Sequence, residues 1–333
     1  MQNTKLDASV VIPVYNAQET ILLCLNSLDR QNYPKDKYEI ICIDDGSTDS
    51  SLGIINSFQS GVCFKNTTQQ NSGPALARNS GAQLARGKVV VFTDSDCELS
   101  PDWLNEMLKP FNDEHVGGVQ GRYKTKQKEL CPLLDQIDIE GRYRKMMKSE
   151  NIDSIGTYSA AYRLKLFLDL GGFNTKYKVA CGEDIEFSYL VARNGYKMVF
   201  ANRAICYHTH PDTFQKYLKT KFSRGYWRTL LYKNNKDKII NDSYTSSVMK
   251  FQYFFVVSFF LSVPIFFINP KYSFVPLVCI SCFLALCTPF ISFAIKYDLR
   301  VAIVSPVILL MRSISFIAGM FIGIIHVFRG KLD

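Results

Sequence analysis

Two apolar runs end in pairs of acids. VVVFTDSDCE (Val89–Glu98) passes from four apolar residues into Asp94-Ser95-Asp96, and YEIICIDDGS (Tyr38–Ser47) closes near Asp44-Asp45. If the first run continued as a strand, its period of two would put Asp94 and Asp96 on one face. Like charges side by side repel unless a cation compensates them. Hard oxygen donors suit Mg²⁺ or Mn²⁺, and Mg²⁺ is commonly shared with the phosphates of a substrate. The plain alternative is a solvated strand-to-loop turn, where Asp and Ser are common.

The elements that would position these acids alternate. ASVVIPVYN (Ala8–Asn16) reads as a strand and loop, and ETILLCLNSLDRQ (Glu19–Gln31) has helical apolar spacing. The strand at Tyr38–Ser47 follows, then a capped helix at Thr48–Phe58 and a short strand near Val62–Phe64. A Gly/Pro loop and small-residue helix occupy Asn71–Gly87. After the Val89 strand, SPDWLNEMLKPF (Ser100–Phe111) opens with a Ser cap and Pro at the first helical position. Strands in order with helical crossovers predict an α/β fold, a mostly parallel sheet with helices on both faces. Ligands bind such sheets beyond the carboxyl ends of the strands. Both acid pairs fall there, so four acids converge on one edge. A divalent cation (Mn²⁺ or Mg²⁺) on the phosphates of a nucleoside diphosphate, with a carboxylate on its ribose, is the economical explanation.

Composition divides the chain. It has 333 residues, long for one small domain. From Phe251 it becomes mostly apolar, in segments near 251–268, 274–295 and 301–328, the last interrupted by Arg312. A bilayer core takes roughly 20 apolar residues per helix, so these read as membrane segments. Three full spans from a cytosolic start would leave Arg329 and Lys331 outside, against the positive-inside bias; a re-entrant or interfacial last segment avoids this. The net charge of +9 is concentrated at Lys216, Lys219, Lys221, Arg224, Arg228, Lys233, Lys236 and Lys238, just before the first apolar segment. That pattern suits anionic membrane lipids, and no nucleic-acid module accompanies it. The expected organisation is a catalytic domain at 1–212, a basic amphipathic interfacial segment at 213–250 and a hydrophobic membrane region at 251–333. With no apolar leader before the first strand, the catalytic domain is expected in the cytoplasm, on a multi-pass cell-membrane protein. The ten scattered cysteines, without a complete zinc-binding set, read as reduced thiols.

VVIPVYNAQETI, EIICIDDGSTDSS, NSGPALARNSGAQLARGKVVVFTDSD and GEDIEFSYLVARNGYK occur in the order seen in the family 2 inverting glycosyltransferases. Over roughly residues 8–230 the chain resembles that family. The resemblance implies the GT-A (nucleotide-diphospho-sugar transferase) fold, a UDP- or GDP-linked sugar donor, a divalent metal and inversion at the anomeric carbon. It implies that Pro13, Tyr15 and Asn16, in the loop after the first strand, border the base, and that Asp45 or its neighbour Asp44 holds base or ribose. Asn71 and Gly73 shape a loop beside them, and Arg78 faces the diphosphate or base, the alternative being a solvated helix face. Asp94 and Ser95 go to the sugar–ribose side, and Asp96 ligates the metal.

The acceptor side follows. SIGTYSAAYRLKLFLDLGGFN (Ser154–Asn174) resembles the floor of the sugar site, and the family's acidic pair falls on Glu183-Asp184. An inverting transfer needs a general base for the acceptor hydroxyl. The resemblance assigns it to Asp184, with Glu183 as helper or acceptor ligand; a plain helix opening with acids near its dipole is the alternative. Of His208 and His210, His208 is the expected third metal ligand. Arg224-Gly225-Tyr226-Trp227-Arg228 stands where related synthases carry Gln-x-x-Arg-Trp, so processive polymerisation is not expected. The expected function is transfer of one sugar to a membrane-held acceptor, a polyprenyl-linked glycan, in surface polysaccharide or glycoprotein glycan assembly. Charging of polyprenyl phosphate itself, a sugar nucleotidyltransferase and a non-catalytic scaffold are the alternatives.

Overall fold

The structure is a computed structural model and describes residues 6–179, 181–239, 246–272 and 274–331. Residues 240–245 of the expected interfacial segment, and 273, 332 and 333 of the membrane region, lie outside it. The chain forms two compact units, Met1–Lys126 with Tyr143–Thr209, and Gln127–Arg142 with His210–Asp333.

The first unit is built on one eight-stranded sheet. In chain order its elements are β1 (Ala8–Val14), α1 (Ile21–Asp29), β2 (Tyr38–Asp44), α2 (Ser51–Ser57), β3 (Cys63–Thr68), α3 (Pro74–Leu84), β4 (Val89–Thr93), β5 (Cys97–Leu99), α4 (Trp103–Leu108) and β6 (Val116–Lys124). Then come α5 (Leu130–Met146), whose first part belongs to the second unit, β7 (Ser159–Arg163), α6 (Leu164–Asp169), α7 (Glu183–Arg193) and β8 (Lys197–His208). The strand order is β3-β2-β1-β4-β7-β6-β8-β5. β3, β2, β1 and β4 are parallel, as is the pair β6/β8; β7 runs antiparallel to both neighbours and β5 antiparallel to β8. The sheet is therefore mixed. β2 and β4 are buried along their whole length, which requires cover on both faces. On one face Gly81 of α3 lets the helix settle onto Val11 and Ile43; a Cβ there would collide with Val11. Phe92, Tyr162, Phe167, Phe173 and Phe187 fill that core in tilted and edge-on pairs.

Three local expectations change. The Val89 strand stops at Thr93, and Asp94–Asp96 form a turn into β5. β5 has three residues, too few to show a period, and exists through its register on β8, Cys97 opposite His208. Pro13 lies inside β1, not in the loop after it; β1 pairs with β4 only as far as Val11, so the missing N–H removes no bond on that side. α4 begins at Trp103, after a turn in which Trp103 N–H donates to the Ser100 carbonyl (3.0 Å), so Ser100 is not its cap.

The second unit adds α8 (Phe214–Asn234), α9 (Ser247–Ile268), α10 (Phe274–Ala294) and α11 (Leu299–Phe328). The last three are long and apolar enough to cross a membrane. α8 and α11 approach closely: a Cβ on Gly225 would strike the Phe316 carbonyl, and one on Gly319 the Phe222 carbonyl. This packing turns part of the basic stretch inward. Lys221 is 4% exposed and its Nζ lies 2.6 Å from Asp135 Oδ1, and Arg228 is 6% exposed, so neither presents its charge at the surface. Arg312, the break in the third apolar segment, is buried, and its Nη1 and Nη2 donate to Asp138 Oδ1 (3.2 Å) and Gln252 Oε1 (2.9 Å).

Candidate active site

Strand order reverses at β1, where β2 lies on one side and β4 on the other. The carboxyl ends of these three strands therefore open one crevice, the usual ligand position of such sheets. Asn16 leaves β1 in the left-handed region (φ 49°), which Asn tolerates. Its Oδ1 accepts from Thr48 N–H (2.8 Å) and its N–H donates to Ser47 Oγ (3.0 Å), tying the β1 loop to the β2 loop. Tyr15 is half exposed beside it. Asp45 is buried and accepts from Gln69 Nε2 (2.8 Å), Ser72 N–H (3.0 Å) and Gly73 N–H (2.8 Å), so the Asn71–Gly73 loop is moulded on its carboxylate. Gly73 has φ +95°, and a Cβ there would sit 2.9 Å from the Lys178 carbonyl oxygen. Asp44 is also buried; Oδ1 accepts from Ser47 N–H (3.3 Å), while Oδ2 has no partner among the described residues.

Arg78 of α3 is 1% exposed, which excludes the solvated-face alternative. Its Nη2 donates to Asp94 Oδ1 (2.7 Å) and its Nη1 to Glu183 Oε1 (3.1 Å). A planar guanidinium suits this double task through its fixed fork of donors. The Asp94 turn and the start of α7 are thereby joined. Glu183 is 1% exposed, and its Oε2 accepts from Cys181 N–H (2.7 Å). Burial, with the charge of Asp184 beside it, pushes its carboxyl up to about 8 against the opposing pull of Arg78. Asp184 is the more open of the two acids; its Oδ1 accepts from Ile185 N–H (2.8 Å). Gly182, at φ +114°, makes the turn into α7, so these acids do open a helix, and that helix carries them at its first turn.

The β5/β8 register brings His208 to the acidic turn: its Nε2 lies 3.1 Å from Asp96 Oδ2. Burial opposes the charge on Asp96, but the His208 imidazole outweighs it and holds the carboxyl below its ordinary value. Ligand atoms of Asp94, Asp96 and Cys97 all lie within 4.8 Å of one another. Burial pushes the Cys97 thiol well up, so it remains protonated and a poor ligand for a hard ion. Two carboxylates and an imidazole remain, a donor set that fits Mn²⁺ or Mg²⁺. His210 belongs to the second unit, buried, with Nε2 2.9 Å from Gln136 Oε1. Sequence reasoning missed the paired role of Arg78. That role follows no local pattern, because its partners Asp94 and Glu183 lie on other elements.

Comparison with known proteins bears on the fold and the family. Residues 9–171 match the family model "Glycosyl transferase family 2". A poly(ribitol-phosphate) β-glucosyltransferase of Bacillus spizizenii is 32% identical over 213 residues, 58% of this chain but only 33% of that protein. Glycosyltransferase AglE of Haloferax volcanii is 28% identical over 236 residues, 68% of this chain and 74% of that protein. A mannosyltransferase of Pyrobaculum calidifontis, solved with GDP-mannose and Mn²⁺, superposes with a TM-score of 0.63 at 19% identity, covering 97% of this chain and 88% of that one. The mixed sheet is the GT-A fold, and residues 9–171, just under half of the chain, carry the match to glycosyl transferase family 2.

Proposed function

We propose that the protein is a metal-dependent inverting glycosyltransferase that moves one sugar from a UDP- or GDP-sugar to a membrane-held acceptor. The acceptor is a polyprenyl-linked glycan, in the assembly of a surface polysaccharide or glycoprotein glycan. The observation that carries the reading is the buried Arg78 fork, which joins Asp94 of the acidic turn to Glu183 of the Glu183-Asp184 pair. Donor-side and acceptor-side acids thus belong to one site.

Asp184 is the general base. It takes the proton of the acceptor hydroxyl as that oxygen bonds to the anomeric carbon and the bond from this carbon to the diphosphate oxygen breaks. The nucleoside diphosphate leaves, and configuration inverts without a covalent enzyme intermediate. Glu183 lies too deep to meet the acceptor and fixes the first turn of α7 through Cys181 and Arg78. Asp44, through an Oδ2 with no partner among the described residues, and Asp45 face base and ribose; Pro13, Tyr15, Asn16, Asn71 and Gly73 border the nucleotide. Arg78 holds Asp94, with Ser95 beside it, toward the sugar and ribose. Asp96 and His208 would hold the cation. When bound, a hard divalent ion neutralises charge on the diphosphate oxygens.

The three apolar helices support a multi-pass membrane anchor with the catalytic unit in the cytoplasm and the acceptor at the bilayer. A relative named as acting on poly(ribitol phosphate) supports a polymer product, and the neighbour solved with GDP-mannose and Mn²⁺ supports a nucleotide-sugar donor and a divalent ion. The test is nucleoside diphosphate release by the full-length protein in detergent. A panel of UDP- and GDP-sugars is screened with and without lipid extract, and the lipid product is read by mass spectrometry. Release that needs one donor and the extract together is expected. Release indifferent to the extract with every donor would sink the acceptor assignment.

A further inference from the structure

His208 ends β8, where a side chain has little backbone around it to set its ring. It is nevertheless held in a column of aromatic rings. The His208 imidazole stacks on Tyr123 of β6 with centroids 4.6 Å apart and planes 25° from parallel. The other face of Tyr123 stacks on Tyr158, centroids 3.4 Å apart and planes 18° from parallel. A third tyrosine locks the column: Tyr123 N–H donates to the Tyr143 hydroxyl (2.9 Å), which lies 2.6 Å from the Tyr158 hydroxyl. The Tyr158 carbonyl in turn accepts from Thr93 Oγ1 (3.0 Å), the last residue of the strand that leads into the acidic turn. The column and the turn therefore share one support.

We infer that Tyr123, clamped by Tyr143 and Tyr158, is a positioning residue that fixes the His208 ring plane with Nε2 toward Asp96, ready for a divalent cation. The inference rests on the proposed role of His208 as a metal ligand. An imidazole on a free strand end turns about its side-chain bonds; stacked against a ring that cannot move, it keeps one orientation. Outer partners that fix a ligating histidine in this way typically change metal affinity by about 10–100-fold when lost. Flat ring surface is what Tyr123 contributes, so phenylalanine should serve in its place.

The test is Mn²⁺ affinity of the purified full-length protein, read from the electron paramagnetic resonance signal of free Mn²⁺, with circular dichroism on every variant. His208→Ala should weaken Mn²⁺ binding, Tyr123→Leu should weaken it about tenfold or more, and Tyr123→Phe should restore it. Tyr143→Phe, which removes one hydroxyl, should weaken it severalfold. A folded Tyr123→Leu protein with wild-type Mn²⁺ affinity overturns the positioning role while leaving His208 a ligand. Should Tyr123→Leu not fold, Tyr143→Phe decides, and wild-type affinity there overturns the inference. Wild-type affinity in His208→Ala is a separate result: it overturns the ligand reading and this inference with it.

Discussion

Arg78 and Glu183, 105 residues apart in the chain, meet at 3.1 Å with both side chains almost wholly buried. The same guanidinium holds Asp94 at 2.7 Å. Removing the fork leaves two carboxyl groups without their donor, and an unsatisfied group of this kind typically costs about 1–3 kcal/mol. Arg78→Met should therefore lower stability by roughly that amount, measured by urea unfolding. Arg78→Lys keeps the charge but not the fork, so it should retain more stability and still lose most transfer. Equal stability of Arg78→Met and wild type would show that the pair contributes nothing.

Asp184→Asn separates binding from chemistry. Donor affinity should stay near wild type while transfer falls on the order of 10²–10⁴-fold, the usual contribution of general acid–base catalysis. Calorimetry with the active donor and single-turnover rates measure the two quantities. Donor binding lost in step with rate would make Asp184 structural.

Chelation should remove transfer, and Mn²⁺ or Mg²⁺ should restore it, with Asp96→Ala inactive at any metal concentration. His208→Ala should instead remain rescuable by excess metal, because the Asp96 carboxylate persists. Full activity in EDTA would remove metal from the mechanism.

Glu183 predicts a pH dependence of stability. Its carboxyl is raised from 4.5 to about 8 by burial and by Asp184. A group raised in the folded state contributes stability that is fully present below its unfolded value and lost as pH rises through its folded one. The Tm should thus fall as the pH climbs from 4.5 toward about 8, and Glu183→Gln should flatten that slope. An unchanged slope in Glu183→Gln would assign the effect to other groups.

The α8–α11 contact predicts where the second unit is fragile. Gly225→Val and Gly319→Leu put atoms where the Phe316 and Phe222 carbonyls stand, so each should lower thermal stability in detergent by several degrees. Overpacking of this kind typically costs 1–3 kcal/mol. A chain cut after Lys238 would bare the face of α8 that carries Tyr217, Lys221, Arg228 and Leu231, and it should aggregate instead of binding membranes through its charges alone. A monodisperse, salt-released fragment would contradict this.

The sequence by itself determined what local pattern controls. Apolar runs such as Val89–Phe92 and Ile40–Ile43 had to be buried strands, and acids at their ends had to lie on the carboxyl edge of a largely parallel sheet. The apolar stretches from Phe251 had to be long apolar helices. Tertiary structure alone decided what meets what. His208 and not His210 faces Asp96 because β5 pairs with β8 in one register. Arg78 faces inward, and so does Lys221, because each finds a carboxylate brought to it by another element, Asp94 with Glu183 in one case and Asp135 in the other. Burying such a charge is costly without its partner, and a partner some 100 residues away leaves no trace in local spacing. The acids were therefore legible as types and positions, while the contacts that orient them followed from topology and register.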